Sequence, residues 1–258
     1  MSNYWQDRIA NNLLKTENKT IKQINAQLIK YYGRAAERVV REFEATYNKL
    51  LNITEEGKEP SPADLYKLDK YWELQAQLRQ ELQKLGDKEI QILTKAFEVN
   101  YFEVYYGIAL PGEETFSTLD TLAAQQLINS VWVADGKNWS QRVWDNTERL
   151  AQTLNEELIH IVATGKKTTE LKNILQERFN ISYRRAETLV RTEVAHIQTE
   201  AAKKRYQDYG IKYVEVLVDP DERTCDLCKA LIGKKFPVNE TPPLPVHPNE
   251  RCCLVPVI

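Results

Sequence analysis

Cysteine is missing from the chain until residue 225, and only three prolines (Pro60, Pro62 and Pro111) precede residue 220. No apolar run approaches the roughly 18 residues that a membrane-crossing helix needs, so no membrane association is expected. Histidine is scarce, with three in 258 residues, which leaves too few ligands for a multi-histidine metalloenzyme. An excess of one charge is lacking too: 35 Lys+Arg against 37 Asp+Glu give −2, which excludes a global electrostatic pull toward nucleic acid or membrane. The opening residues, Met1 to Arg8, meet charges at once and show no basic-then-apolar signal layout, so a soluble, unexported chain is expected. No Ser-His-Asp set, phosphate-cradling glycine loop or paired carboxylates beside an evident pocket is present, and the chain reads as a non-enzyme.

What is present divides into two unlike materials. Proline lacks the N–H that a helix interior requires, so long proline-free stretches permit helix, while the seven prolines in the last 39 positions forbid it. Glycines 33, 57, 86, 107, 112, 136, 165 and 210 mark off helix-sized segments. Between them apolar residues recur at helical spacing. One stripe runs from Leu65 to Leu85, a second from Ile90 to Val104, a third from Trp139 to Ile161 and a fourth from Ala186 to Ala201. Ser61-Pro62 and Ser182 are the start signals. Residues 1–59 read as a bundle helix pair or an extended interaction arm, and Asn52 to Pro62 as a linker. Lys212 to Val218 is β-branched and weakly alternating, a strand, with a turn at Asp219 to Glu222. The predicted fold is mainly α: a multi-helix body with a small C-terminal β-hairpin, zinc-knuckle-like module over about 211–258.

Charge is locally uneven. Residues 60–136 hold 6 basic and 12 acidic groups, and residues 137–213 hold 14 and 10. Arg184, Arg185, Lys203, Lys204 and Arg205 are the densest basic groups and the candidate phosphate contacts for sequence-independent DNA binding, with a solvated helix face as the plain alternative. On the last helical stripe Glu193 borders Val190 and Ile197, so its carboxylate should be paired. Arg191 faces elsewhere and should find its partner on another element, and the two are read as structural ion-pair residues.

All four cysteines fall in the last 34 residues: Cys225, Cys228, Cys252 and Cys253. Cys225 and Cys228 form a CxxC knuckle, His247 follows after 18 intervening residues and Cys252 after four more. Two short-spaced donor pairs on separate loops are the usual supply for a tetrahedral ion, so Cys225, Cys228, His247 and Cys252 are the candidate ligands of a closed, structural Zn2+. Adjacent side chains of an extended chain point opposite ways, so only one of Cys252 and Cys253 should ligate. A disulfide, a redox CxxC and four unpaired thiols in a self-packed module stay open as alternatives. A catalytic ion would need an open position and a general base, for which Glu250 is the only nearby group.

These residues carry a resemblance. Trp139 to Thr147, Val190-Arg191-Thr192-Glu193 with Gln198 and Ala201, Asp221 to Cys228 with Leu231 to Phe236, and His247 to Cys252 are similar to four ordered motifs of the phage Mu F-like head morphogenesis (minor capsid) family, over roughly residues 137–258. One departure is that the family commonly has two cysteines bracketing the arginine of its last motif. Here Glu250 precedes Arg251, either an alternative ligand or a surface charge. The resemblance implies residues 137–258 as the family domain and residues 1–136 as a helical region of unassigned role, suited to docking on portal or capsid. It further implies a portal-associated protein of the virion or procapsid interior, made in the host cytoplasm, that assists procapsid assembly, DNA packaging or DNA delivery. The partners implied are the portal protein, the major capsid or scaffolding protein, and non-specific double-stranded DNA. A metal-dependent nuclease is the weaker alternative. Some family chains append toxin or enzyme domains after the last motif, and with Ile258 so close to Cys253 none is expected here.

Overall fold

The computed structural model describes residues 4–53, 61–110, 120–164, 168–217, 224–250 and 252–257. Most of them are helical. In chain order the elements are α1 (Tyr4–Ile53), α2 (Pro62–Tyr66), α3 (Asp69–Gly107), α4 (Thr121–Ile128), α5 (Trp139–Ala163), α6 (Thr168–Asp208), β1 (Tyr213–Leu217), α7 (Asp226–Lys229), β2 (Lys235–Pro237) and β3 (Cys253–Pro256). The mainly α body and small C-terminal β region agree with the sequence reading. The linker residues 54–60 and the turn at 219–222 lie outside the described residues.

Several glycine boundaries dissolve. Residues 1–59 hold one long helix, neither a helix pair nor an extended arm, because α1 passes straight through Gly33. Likewise α3 passes through Gly86, joining the stripes that end at Leu85 and begin at Ile90. A helix-interior glycine costs only about 1 kcal/mol relative to alanine, which burial of a continuous apolar stripe readily exceeds. Ser182 starts no helix either; it is buried within α6. Ser61 does cap α2: its side chain accepts from Asp64 N while the Asp64 carboxylate takes the Ser61 N–H, with Pro62 at the first helical position.

The chain forms two compact units, each assembled from separated stretches. One comprises Met1–Asn25, Ile92–Trp139 and Glu187–Ile258; the other comprises Ala26–Gln91 and Ser140–Ala186. The second is a helical cluster. Tyr71 and Gln75 of α3 hydrogen-bond Asn155 of α5, at 3.0 and 2.7 Å, and Arg178 of α6 pairs with Glu157 of α5. Leu28, Phe43, Leu74, Leu82, Val143, Leu154, Leu171 and Phe179 are buried in it.

In the first unit α6 is the buried centre: every residue from Glu193 to Thr199 is shielded from solvent. A helix apolar or hydrogen-bonded all round belongs inside a domain, not on its face. Gln198 Nε2 donates to Leu13 O of α1 at 2.5 Å, and Tyr105 of α3 donates to Asp208 at 2.6 Å. Past Asp208, Gly210 adopts φ 71°, Ile211 N returns to Tyr206 O and Gly210 N to Gln207 O, a Schellman stop that sends the chain into β1. β1 is the middle strand of an antiparallel sheet ordered β2-β1-β3, with Val214 opposite Phe236 and Val216 opposite Leu254. Tyr206 OH donates to Leu254 O at 2.9 Å, seating this sheet against α6.

Candidate metal centre

Cys225, its own backbone extended, N-caps the single turn α7, its sulfur accepting from Cys228 N at 3.4 Å. That turn brings the two knuckle sulfurs to one side. His247 reaches them from the other loop, with Nε2 lying 3.2 Å from Cys225 Sγ and 3.2 Å from Cys228 Sγ. Its Nδ1 lies 2.9 Å from Pro248 O. A carbonyl only accepts, so Nδ1 carries the proton and Nε2 presents its lone pair to the sulfurs, the orientation that second-shell carbonyls give metal-binding histidines. Asn249, at φ 61°, makes the tight turn after His247; asparagine tolerates this left-handed conformation better than most residues.

The chain ends this loop with a second group. Cys228, Glu250 and Cys252 offer ligand atoms within 4.8 Å of one another, as do Cys225, Cys228 and His247. Cys228 belongs to both triads. The four sequence-predicted donors therefore converge as a knuckle-and-imidazole triad, with Cys252 joining through Cys228. Glu250 is only 3% exposed, so the surface-charge alternative is excluded. One of its oxygens accepts from Val246 N and from His247 N, fixing the backbone that carries the imidazole. No disulfide joins the four cysteines.

Electrostatics separate the thiols. The Cys228 N–H holds Cys225 below the ordinary thiol value. Burial pushes Cys228 up to about 11. Burial, followed by the Glu250 carboxylate, drives Cys252 far above the usual range. Burial also takes Cys253 up to about 12, and the charge that adds to this is that of Glu17, away from the knuckle. Cys252 and Cys253 thus sense different neighbours, as alternating side chains should. A backbone hydrogen bond to Pro248 raises His247.

Cys225, Cys228 and His247 fit three corners of a tetrahedral ion. Zn–S and Zn–N bonds of about 2.3 and 2.0–2.1 Å place adjacent ligand atoms about 3.5 Å apart, close to the sulfur–nitrogen separations here.

Helix α6 braces the loop that carries His247. His196 Nδ1 lies 3.1 Å from Leu244 O, and the Thr192 hydroxyl accepts from Asn249 N at 3.4 Å. His196 also stacks on Trp132, ring centroids 4.1 Å apart, and Trp132 Nε1 donates to Glu193 at 3.1 Å. The roles of Thr192, His196 and Trp132 were not read from the sequence. The i, i+4 spacing of Thr192 and His196 was the available signal, since it puts both on one helix face.

The predicted ion-pair residues need correction. Glu193 is buried and takes the Trp132 indole, while Arg191 pairs with Glu187 one turn back on α6, at 3.4 Å, and not with another element. The basic set changes as well. Arg205 is buried, donates to Ile108 O at 3.3 Å and lies over the Tyr105 and Tyr209 rings, which withdraws it from phosphate contact. Lys203 pairs with Glu200 and Lys204 with Asp208. Arg184 and Arg185 are exposed and fall in the other compact unit.

Fold and site together define a helical protein closed by a small cysteine/histidine module that rests on a buried central helix. Residues 152–254 match the family described as Phage Mu protein F like protein. The match contains all five clustered donors. No curated protein and no solved structure matches the chain. Among the described residues no helix is long and apolar enough to cross a membrane.

Proposed function

We propose that the chain is a head-morphogenesis protein of a tailed phage, a non-catalytic minor component that associates with the portal vertex. The single observation that carries this reading is the family match over residues 152–254, with the cysteine/histidine cluster inside it. Residues 1–136 serve as the docking region for portal or shell, and residues 137–258 as the family domain. Major capsid or scaffolding protein is the further protein partner. The protein acts in the procapsid or virion interior, after synthesis in the host cytoplasm, and assists assembly, DNA packaging or delivery.

The cluster is a structural zinc clamp. Cys225, Cys228 and His247 hold the ion, and its fourth position falls to the triad around Cys228, where Cys252 is the donor expected from the sequence. Bound Zn2+ supplies a four-way crosslink with no open position, so it stiffens the module and activates no water. Pro248 O orients the imidazole, Glu250 holds the 246–247 backbone, and α6 supports both through His196 and Thr192. Non-specific DNA contact, where it occurs, centres on the exposed Arg184 and Arg185.

Affinity purification of the tagged chain from infected cells tests the assignment. The expected result is co-purification with portal protein and procapsids. Normal, DNA-filled heads from a phage deleted for this chain would contradict it.

A further inference from the structure

Glu250 does more than hold a turn. Its side chain is 3% exposed, and one oxygen is fully engaged by the backbone N–H groups of Val246 and His247. The other, Oε1, is buried and has no hydrogen-bond partner. Among the described residues the Cys252 thiol is the one side-chain group that hydrogen-bonds this carboxylate, a weak donor, and a buried carboxylate oxygen so poorly served is costly unless a cation meets it. The carboxylate lies within 4.8 Å of the sulfurs of both Cys228 and Cys252, and Cys228 is also a member of the knuckle triad.

We propose that Glu250 Oε1 fills the fourth position of the ion held by Cys225, Cys228 and His247, making a Cys2HisGlu centre in which Cys252 is a neighbour and not a ligand. This rests on the metal-clamp reading above and changes its fourth donor. Three features of the geometry favour the carboxylate. It is anchored through its other oxygen, so its aim is set before metal arrives. It sits three residues after His247, on the same tight turn, so one short loop delivers two donors, as α7 does for its two sulfurs. Cys252 instead stands at the entrance to β3, whose register is fixed by pairing of Cys253 with Leu217. Carboxylate oxygen is an accepted zinc donor at about 2.0–2.2 Å, shorter than a thiolate bond, and gives the same net charge as a third thiolate. An oxygen donor in place of sulfur also makes the centre harder, so it discriminates less sharply against other divalent ions.

Cobalt(II) loading of the full chain tests this, because each thiolate ligand adds sulfur-to-cobalt charge-transfer absorption. With Glu250 as ligand, Cys252→Ser keeps the wild-type intensity, whereas Glu250→Gln shifts the d–d bands and weakens cobalt affinity at least about tenfold. A loss of about one third of the intensity in Cys252→Ser, with Glu250→Gln unchanged, overturns the assignment and leaves the clamp standing. Failure of the wild-type chain to take up cobalt or zinc ends both. Alkylation of the wild-type chain with and without zinc, read by mass spectrometry, requires no variant. Metal-dependent protection confined to Cys225 and Cys228 supports Glu250, and equal protection of Cys252 overturns it.

Discussion

The two compact units bury polar groups in opposite ways. In the unit that carries the C-terminal module, four ligand-type side chains gather around one sulfur, that of Cys228. In the other, Tyr32 OH donates to Glu89 at 2.9 Å, and Asn146 Nδ2 bonds Tyr32 OH at 3.2 Å and Ser182 O at 3.0 Å, a hydrogen-bonded network linking α1, α3, α5 and α6. The helical cluster has a large apolar core and uses its polar network for alignment. The module has three short strands and one helical turn, too little core to hold its own loops, and gathers donors suited to metal.

Breaking the module gives the largest effect. Cys228→Ser removes the sulfur common to both triads, and we expect loss of metal and of sheet order with the helical far-ultraviolet signal retained. Hydrogen exchange by peptide would localise this to 213–257 and spare 26–91. Uniform loss of protection across both stretches would contradict the separation.

The second prediction sharpens the helical side of the comparison. Burial raises the Glu89 carboxyl from 4.5 to about 7. The group is protonated more readily folded than unfolded, so its contribution is full below about pH 4.5 and is lost as pH rises through 7, at most about 3 kcal/mol. Glu89→Gln should flatten this slope and be the more stable form at pH 8, read from urea midpoints at pH 5 and 8. Parallel pH profiles for the two chains would refute it.

Third, a Cβ on Gly86 would lie 2.6 Å from the Trp144 ring. Overpacking costs about 1–3 kcal/mol, which outweighs the roughly 1 kcal/mol gained in helix propensity. Gly86→Ala should therefore destabilise on thermal melting, and Trp144→Leu should relieve part of the loss. The smallest effect belongs to the surface: Arg184→Ala with Arg185→Ala should change stability by about 0.5 kcal/mol or less while reducing the salt slope of any DNA binding by about 1–2. A gel shift at low salt measures the latter.

Periodicity and proline placement made the helical body and the non-helical tail legible, because both report local physics. Gly33, Gly86 and Ser182 misled for the same reason: each has a local preference against mid-helix, and each is overridden by burial that depends on residues far along the chain. Cys225, Cys228 and His247 were legible because ligand spacing is a local signature. The burial of Glu250 and Arg205 was not, since a charged residue in a polar stretch looks solvated until Val246, His247 and Ile108 are seen to meet it. The division into two units was hidden as well, because its chain boundaries fall inside helices α1, α3 and α6, where the sequence pattern does not break.

The proposed dependence of the module on a bound ion is tested most directly by native mass spectrometry of the purified full chain. One zinc ion per chain is expected, absent from Cys228→Ser. A metal-free wild-type chain whose 213–257 peptides are nonetheless fully protected from exchange would contradict it.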